Sequence, residues 1–542
     1  MMSEPSQIDM SVDVSGWTLD QQMGQLFMVG FTGLTPPPGA LDLIARQQIG
    51  GIILFSRNCQ SASQVAQLTH DLQAAARAAG HPAPLLIAVD QENGIVRRLG
   101  DAITSMPGAM ALGAIGSEEL TSAVAEATGQ ELLALGVNMN LAPVADINSN
   151  PANPVIGVRS FGQQPREVAR LTAAATRGYH AAGIITSLKH FPGHGDTADD
   201  SHVGMPSLPH ARERLEQVEL APFRAGVAAG ADTVMLAHLR LPALAPDETV
   251  PASLSPTVTR LAREALGFDG VLMTDCLEMG AVAKTVGVAR GATLALRAGA
   301  DLILISHTLD EQRAAIGQAS GALATGELPA ETVRQAAERV MRLKARYLAW
   351  DRLPAPVASA SVSSEAHQRL SVESYRRAVT LVRDAAGLLP LRLAPDARAV
   401  ALAQATASFT QASDTPYAHQ ALVERAQAYH ANTRGVLIDA EADPASVAAA
   451  LAEALAADLI ILATLNASRD ARQAALIERL IETGQPIVAI AASDPYDVAA
   501  FPQLPTYLAT YDYTPPALAA AVDALFGAFT PSGRLPIDVN GL

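Results

Sequence analysis

The chain predicts an α/β fold: an N-terminal (β/α)8 TIM barrel followed by a doubly wound α/β sandwich domain. Three observations carry that prediction. Eight short apolar runs alternate with Ala/Leu-rich stretches over the first 350 residues. Polar residues cluster at the C-terminal ends of those runs. A Pro/Ser/Ala-rich break near 351–366 then separates them from a second alternating set.

The eight runs are GQLFMVGF (24–31), GGIILF (50–55), LLIAVD (85–90), VNMNLAPV (137–144), IITSLKHF (184–191), DTVMLAHL (232–239), GVLMTD (270–275) and DLILIS (301–306). Near-continuous apolar strands alternating with helices imply a parallel sheet covered on its outer face, and eight such units are what a barrel requires. Asp90, Asp146, Lys189, His190, His238, Asp275 and His307 stand at or just beyond the ends of these runs. In a barrel those ends form the catalytic face.

The segment DRLPAPVASASVSSEA, 351–366, has no apolar periodicity and reads as a linker. The barrel domain is therefore expected over 1–350 and a second domain over 367–542. Candidate strands in the second domain are 379–384, 397–404, 435–440, 458–465, 486–493 and 506–511, with helical stretches such as PASVAAALAEALAA (444–457) between them. This alternation predicts the doubly wound sandwich. No GxGxxG follows its first strand, so no dinucleotide site is expected.

Composition narrows the partners. Hydrophobic residues make up 49% of the 542 residues and charged residues 17%, enough apolar content for a large core. The formal net charge of −16, from 38 basic and 54 acidic residues, repels phosphate backbones, so no nucleic-acid partner is expected. Two cysteines, Cys59 and Cys276, make no disulfide framework. The opening MMSEPSQIDMSVDVSGW lacks a basic and an apolar segment of signal type, and no apolar run reaches membrane-spanning length. A cytoplasmic protein without membrane contact is the resulting expectation. Oligomeric state is not readable from the chain.

The strongest local signal is KHFPGHGDTADDSH, Lys189 to His202, at the end of the fifth run. Its histidines and aspartates admit a metal site, although the spacing is not HExxH and no helix crosses Pro192, Gly193 and Gly195. They also admit acid/base catalysis. Asp200 lies two residues from His202, and a carboxylate partner raises the basicity of an imidazole and sets its tautomer. Such a pair can protonate a leaving group and later deprotonate water. A self-satisfied polar loop is the third reading.

Asp275 ends a buried strand in GVLMTDCLEMGA, a costly place for a carboxylate unless it is paired or functional. It reads as a nucleophile or as a helix N-cap, while Glu278 reads as a helix-opening charge. In IAVDQENGIVRRL, Asp90 with Arg98 presents both acceptors and donors to sugar hydroxyls, as does Arg159 in NPVIGVRSFG. Surface salt bridges account for the same residues equally well.

Taken together these residues resemble glycoside hydrolase family 3, and more narrowly its bacterial β-N-acetylglucosaminidase branch. The matching elements are GGIILFSRN, DQENG with Arg98, NLAPVADIN, NPVIGVRSFG, KHFPGHG followed by DSH, and TDCLEM, in the family's order. The closing PSGRLPIDV matches the ending of the family's second domain. The resemblance implies a loop whose Asp200–His202 pair is the acid/base, with Asp275 as nucleophile. It implies sugar-binding roles for Asp90, Arg98, Arg159, Lys189 and His190, and neither a cofactor nor a metal. Departures are Asn93 and Ile95, where the family shows DQEGGR, and Cys276, where the family has an acidic or other polar neighbour of the nucleophile. Asn tolerates a left-handed turn, whereas the missing Arg at Ile95 is expected to remove a charge near the sugar.

The implied reaction is retaining hydrolysis through a glycosyl-enzyme. The expected substrate is a small-molecule sugar bearing terminal GlcNAc, from muropeptides or chito-oligosaccharides, in peptidoglycan recycling. Two alternatives stand beside it. A His acid/base repels an incoming phosphate dianion less than a carboxylate does, which allows a phosphorylase, and a relaxed pocket allows a broad β-glucosidase. Substrate assistance by the acetamido group would need a carboxylate pair, for which Asp199–Asp200 is the nearby candidate.

Overall fold

The computed structural model describes residues 14, 16–201, 204–355, 361–405, 413 and 416–539. The first domain begins with β1 (Phe27–Val29), β2 (Gly51–Leu54) and β3 (Leu86–Val89). A short antiparallel hairpin, β4 (Gln91–Asn93) and β5 (Val96–Arg97), extends from the end of β3. The barrel resumes with β6 (Met139–Asn140), β7 (Ile185–Phe191), β8 (Thr233–Leu236), β9 (Val271–Thr274) and β10 (Ile303–Ile305).

Eight of these strands form one parallel sheet in the order β10-β1-β2-β3-β6-β7-β8-β9, and a parallel bridge between Met273 and Leu302 closes it. Each falls inside one of the apolar runs. Every residue of the eight strands is buried, because side chains fill the barrel on one face and helices cover the other. The helices start where short polar side chains can cap them. Ser61 Oγ accepts from Gln64 N at 3.2 Å ahead of Ala62–Ala78, and Ser117 Oγ from Leu120 N at 3.2 Å ahead of Glu118–Ala134.

The second domain contains β11 (Thr380–Asp384), β12 (Ala399–Gln404), β13 (Thr433–Ile438), β14 (Leu459–Thr464), β15 (Ile487–Ala491) and β16 (Thr506–Ala509). They form one sheet in the order β11-β16-β15-β14-β12-β13. Five strands are parallel, and helices cross between them as a doubly wound sandwich requires. β11 runs antiparallel to β16 at the edge. The segment from β11 to β12 contains no helix to return the chain in parallel.

The two domains share packing. Ile95, Val96, Met110, Ala111, Ala114 and Val158 of the barrel domain join the apolar core of the second. Helix Glu365–Ala378 bridges the junction: Ser371 Oγ donates to the Ser105 carbonyl at 2.6 Å, and Tyr375 Oη to Asp512 at 3.0 Å. Among the described residues no helix is long and apolar enough to cross a membrane.

Candidate active site

At the C-terminal end of the barrel strands a cavity of about 380 Å³ opens. Six of the eight predicted catalytic and sugar-binding residues line it, Asp90, Arg98, Arg159, Lys189, His190 and Asp275, together with His307 at the end of the last run. Chain positions 185 residues apart meet there because parallel strands all deliver their C-terminal ends to one face.

The wall on the β3–β7 side is a charged network. Lys189 Nζ, at the end of β7, lies 2.6 Å from Asp90 Oδ1 and 2.6 Å from Glu92 Oε1. Arg159 holds the Glu92 carboxylate with both prongs, Nε to Oε2 and Nη2 to Oε1, each at 2.8 Å. Burial alone would raise the Glu92 pKa, but the Arg159 and Lys189 charges outweigh it and hold the carboxyl far below its usual range. Glu92 is therefore an anion whose role is to fix two cations. Sequence reasoning passed over it, although its signal was present in DQENG: Asp90 and Glu92 stand two apart and share one face of an extended chain.

His190 is oriented from behind. Its Nδ1 lies 2.7 Å from Asp146 Oδ2, and its Nε2 lies 3.3 Å from Arg159 Nη2. With the proton on Nδ1, donated to Asp146, Nε2 is left as acceptor. Asp146 also accepts the main-chain N–H of His190 at 3.1 Å and of His194 at 2.6 Å. Desolvation raises its pKa, but the close approach of His190 and the hydrogen bonds from His190 and His194 outweigh that and keep the carboxyl below the ordinary Asp range.

The loop after β7 is bound tightly at its start. Gly195 packs its Cα against the Ile147 carbonyl, where any Cβ would collide. Burial pushes His194 down to about 4, so its ring is neutral and pairs with Thr197 Oγ1 at 2.8 Å and Ser201 Oγ at 3.1 Å. Among the described residues neither the His190 nor the His194 ring belongs to a group of three converging ligating atoms. Ser201 reaches the cavity lining. Asp200 beside it is half-buried, and its carbonyl accepts from Gly204 N at 3.1 Å. His202 lies outside the described residues.

Opposite this wall, Asp275 follows β9 and faces the cavity half-buried, its Oδ1 accepting from Cys276 N at 2.7 Å. It is no helix N-cap, since the next helix begins at Gly280 with Met279 at the cap. Nor is Glu278 a helix-opening charge: its carboxylate accepts the main-chain N–H of His307 at 2.6 Å and of Thr308 at 2.9 Å, tying two strand-end loops together. Cys276 is buried, which pushes its thiol up to about 12, so this neighbour is no competing nucleophile at neutral pH. Phe55 lines the cavity under two cations, Arg57 at 4.3 Å and Arg98 at 5.6 Å from its ring centre.

Two local expectations are resolved differently. Asn93 does take the left-handed conformation, at φ 70°. Ile95, however, lies in the second domain's apolar core at 5% exposure. An Arg there would not face this cavity, so its absence takes no charge from the sugar site.

A closed barrel presenting a carboxylate across a cavity from a Lys–Arg–His wall belongs to the class of barrel enzymes that act at the C-terminal face. Residues 18–343 match the glycosyl hydrolase family 3 N terminal domain and residues 379–541 the glycosyl hydrolase family 3 C-terminal domain. The chain belongs to glycosyl hydrolase family 3 and is a glycoside hydrolase. It is 33% identical to beta-hexosaminidase A of Pseudoalteromonas piscicida, over 93% of this chain and 92% of that one. A glycoside hydrolase family 3 beta-N-acetylglucosaminidase from Paenibacillus sp. str. FPU-7 superposes with a TM-score of 0.91 at 39% identity, covering 96% of this chain and 99% of that one. A fungal multi-domain GH3 beta-N-acetylglucosaminidase does so with a TM-score of 0.91 at 42% identity, covering 97% of this chain but only 61% of the longer fungal protein.

Proposed function

We propose that the protein is a retaining exo-β-N-acetylglucosaminidase, releasing terminal non-reducing GlcNAc from muropeptides or chito-oligosaccharides. The observation that carries the reading is Asp275, a carboxylate at the end of β9, facing the Lys189–Asp90–Glu92–Arg159–His190 wall across one cavity. Likeness to hexosaminidases and N-acetylglucosaminidases supports the substrate class, and peptidoglycan recycling is a process that supplies such a sugar.

The sugar binds with its hydroxyls against the wall. Asp90 accepts, Lys189, Arg159 and Arg98 donate, and His190 Nε2 accepts or, after tautomer exchange, donates. Asp275 attacks the anomeric carbon while the His202 imidazolium, stabilised by Asp200, gives its proton to the departing oxygen. The aglycone leaves and the glycosyl-enzyme forms. Water then attacks the same carbon, His202 takes its proton, and Asp275 departs as carboxylate. The two displacements restore the original anomeric configuration.

The test is hydrolysis of p-nitrophenyl N-acetyl-β-D-glucosaminide with and without phosphate, beside the β-glucoside, for the native chain and Asp275→Asn. The expected result is phosphate-independent release from the N-acetyl substrate, with a loss in Asp275→Asn exceeding the ~10²–10⁴-fold typical of a missing acid/base. Near-native turnover in Asp275→Asn overturns the nucleophile. Sugar 1-phosphate as product makes the protein a phosphorylase, and preference for the glucoside makes it a β-glucosidase.

A further inference from the structure

Beside the nucleophile, at the cavity mouth, three side chains of different chemistry converge. One ligating atom each from Cys276, Glu278 and His307 lie within 4.8 Å of one another. Cys276 and His307 both line the cavity. Cys276 Sγ stands 3.8 Å from Glu278 Oε2. Around a tetrahedral Zn²⁺, with metal–sulfur bonds of about 2.3 Å and metal–nitrogen or metal–oxygen bonds of about 2.0 Å, neighbouring ligand atoms stand roughly 3.3–3.6 Å apart. From a spacing of at most 4.8 Å the set closes by no more than about 1.2–1.5 Å, which rotation of the exposed His307 side chain can supply.

The trio is also pre-organised. Glu278 is held by the N–H groups of His307 and Thr308, one on each oxygen, and Oε2 also accepts from the Cys276 thiol, whose proton the ion would replace. The same two hydrogen bonds fix the β9 and β10 loops against each other, so the donors on either side of the gap are kept together without an ion. The His307 ring lies 5.2 Å from the Phe55 ring, at the cavity mouth.

We infer that Cys276, Glu278 and His307 form an inhibitory site for a soft or borderline divalent ion of the Zn²⁺ and Cd²⁺ class, which closes the sugar pocket when filled. A sulfur–imidazole–carboxylate set selects such ions over Mg²⁺ and Ca²⁺, which favour all-oxygen shells. Three protein ligands leave a fourth position open toward the cavity. Binding exchanges the Cys276 thiol proton for the ion, and the proton passes to solvent. The bound ion sits one residue from Asp275, where it draws the carboxylate's charge and occupies the entrance used by the glycoside. Inhibition therefore competes with substrate. That consequence rests on the glycosidase reading above, whereas binding itself does not.

The experiment takes the full chain, freed of metal by chelator and dialysis, and titrates it with CdCl₂ and ZnCl₂. One ion per chain is expected, with an ultraviolet cadmium–thiolate charge-transfer band. Hydrolysis of p-nitrophenyl N-acetyl-β-D-glucosaminide should fall with a rise in apparent KM, recover with EDTA, and stay insensitive to Mg²⁺. Cys276→Ser should abolish the band, and His307→Ala, at an exposed position, should weaken Zn²⁺ binding by about tenfold or more. Cys59→Ser, at the other thiol, should keep both. A band that survives Cys276→Ser, a band lost in Cys59→Ser, Zn²⁺ binding unchanged in His307→Ala, or no stoichiometric binding overturns the site. Binding with the expected variant pattern in a chain that does not hydrolyse this substrate upholds the site and overturns the N-acetylglucosaminidase reading instead.

Discussion

The guanidinium of Arg469, in the second domain, donates to the main-chain carbonyl of Asn153 at 2.7 Å, in the barrel loop that leads to Arg159. It also reaches the carbonyl of Pro151 and pairs with Asp494 at 3.1 Å. Asn153 in turn donates to the carbonyls of His194 at 2.9 Å and Thr197 at 3.0 Å, in the loop that runs on to Asp200. The second domain thus braces both loops flanking the cavity without placing a described side chain in its lining.

Arg469→Ala is therefore expected to act through position. Turnover of p-nitrophenyl N-acetyl-β-D-glucosaminide should fall several-fold in kcat, corresponding to roughly 1–2 kcal/mol for lost charge-assisted hydrogen bonds, with KM changed less. Arg469→Lys, which keeps a donor, should recover part of it. An unaltered kcat in the alanine variant would show that the brace is dispensable.

Glu92→Gln removes the anion between Arg159 and Lys189 while keeping its shape. Removing one partner of a buried ion pair typically costs about 3–5 kcal/mol, because the remaining charges stay buried. Denaturant unfolding should show a loss of this order, reduced by the amide oxygen that remains. Affinity for GlcNAc should drop together with stability. A fully stable variant with normal affinity would mean that Asp90 alone satisfies both cations.

His202→Ala and Asp200→Asn test the acid/base pair. Each should lower turnover of chito-oligosaccharides by ~10²–10⁴-fold. The p-nitrophenyl substrate, whose leaving group needs little protonation, should suffer less in the first step. Equal losses on both substrates would point away from proton donation to the leaving group.

Lys344 provides a pH-dependent test. It is buried, its Nζ donates to Gln25 Oε1 at 2.7 Å, and desolvation pushes its pKa down to about 7 from 10.5. Between those values the unfolded chain binds a proton that the folded chain does not, so this group's contribution to stability rises with pH. Below about pH 7 both states are charged and the full cost of burial is paid. Relative to Lys344→Met, the native chain should gain a few kcal/mol, at ~1.4 kcal/mol per pKa unit, as pH climbs through that window. Parallel stability curves for the two proteins would show that Lys344 is charged in the folded state up to its ordinary pKa.

By itself the sequence determined the barrel and the sandwich, because strands buried on both faces must be written as apolar runs and their active ends as polar interruptions. It also marked Lys189, His190 and Asp275 as strand-end residues, since a charged group terminating an apolar strand is conspicuous on the page. What only the tertiary structure decided was the pairing. Glu92 is unremarkable beside Asp90 until Arg159 and Lys189 close on it from other strands. Arg469 lies 316 residues from Asn153 in the chain, and Ile95, two residues past Asn93 in the turn of the β4–β5 hairpin, faces the other domain's core. Local periodicity shows which face a residue takes within its own element. Which residue meets it there depends on chain closure over hundreds of residues, and no local pattern encodes that.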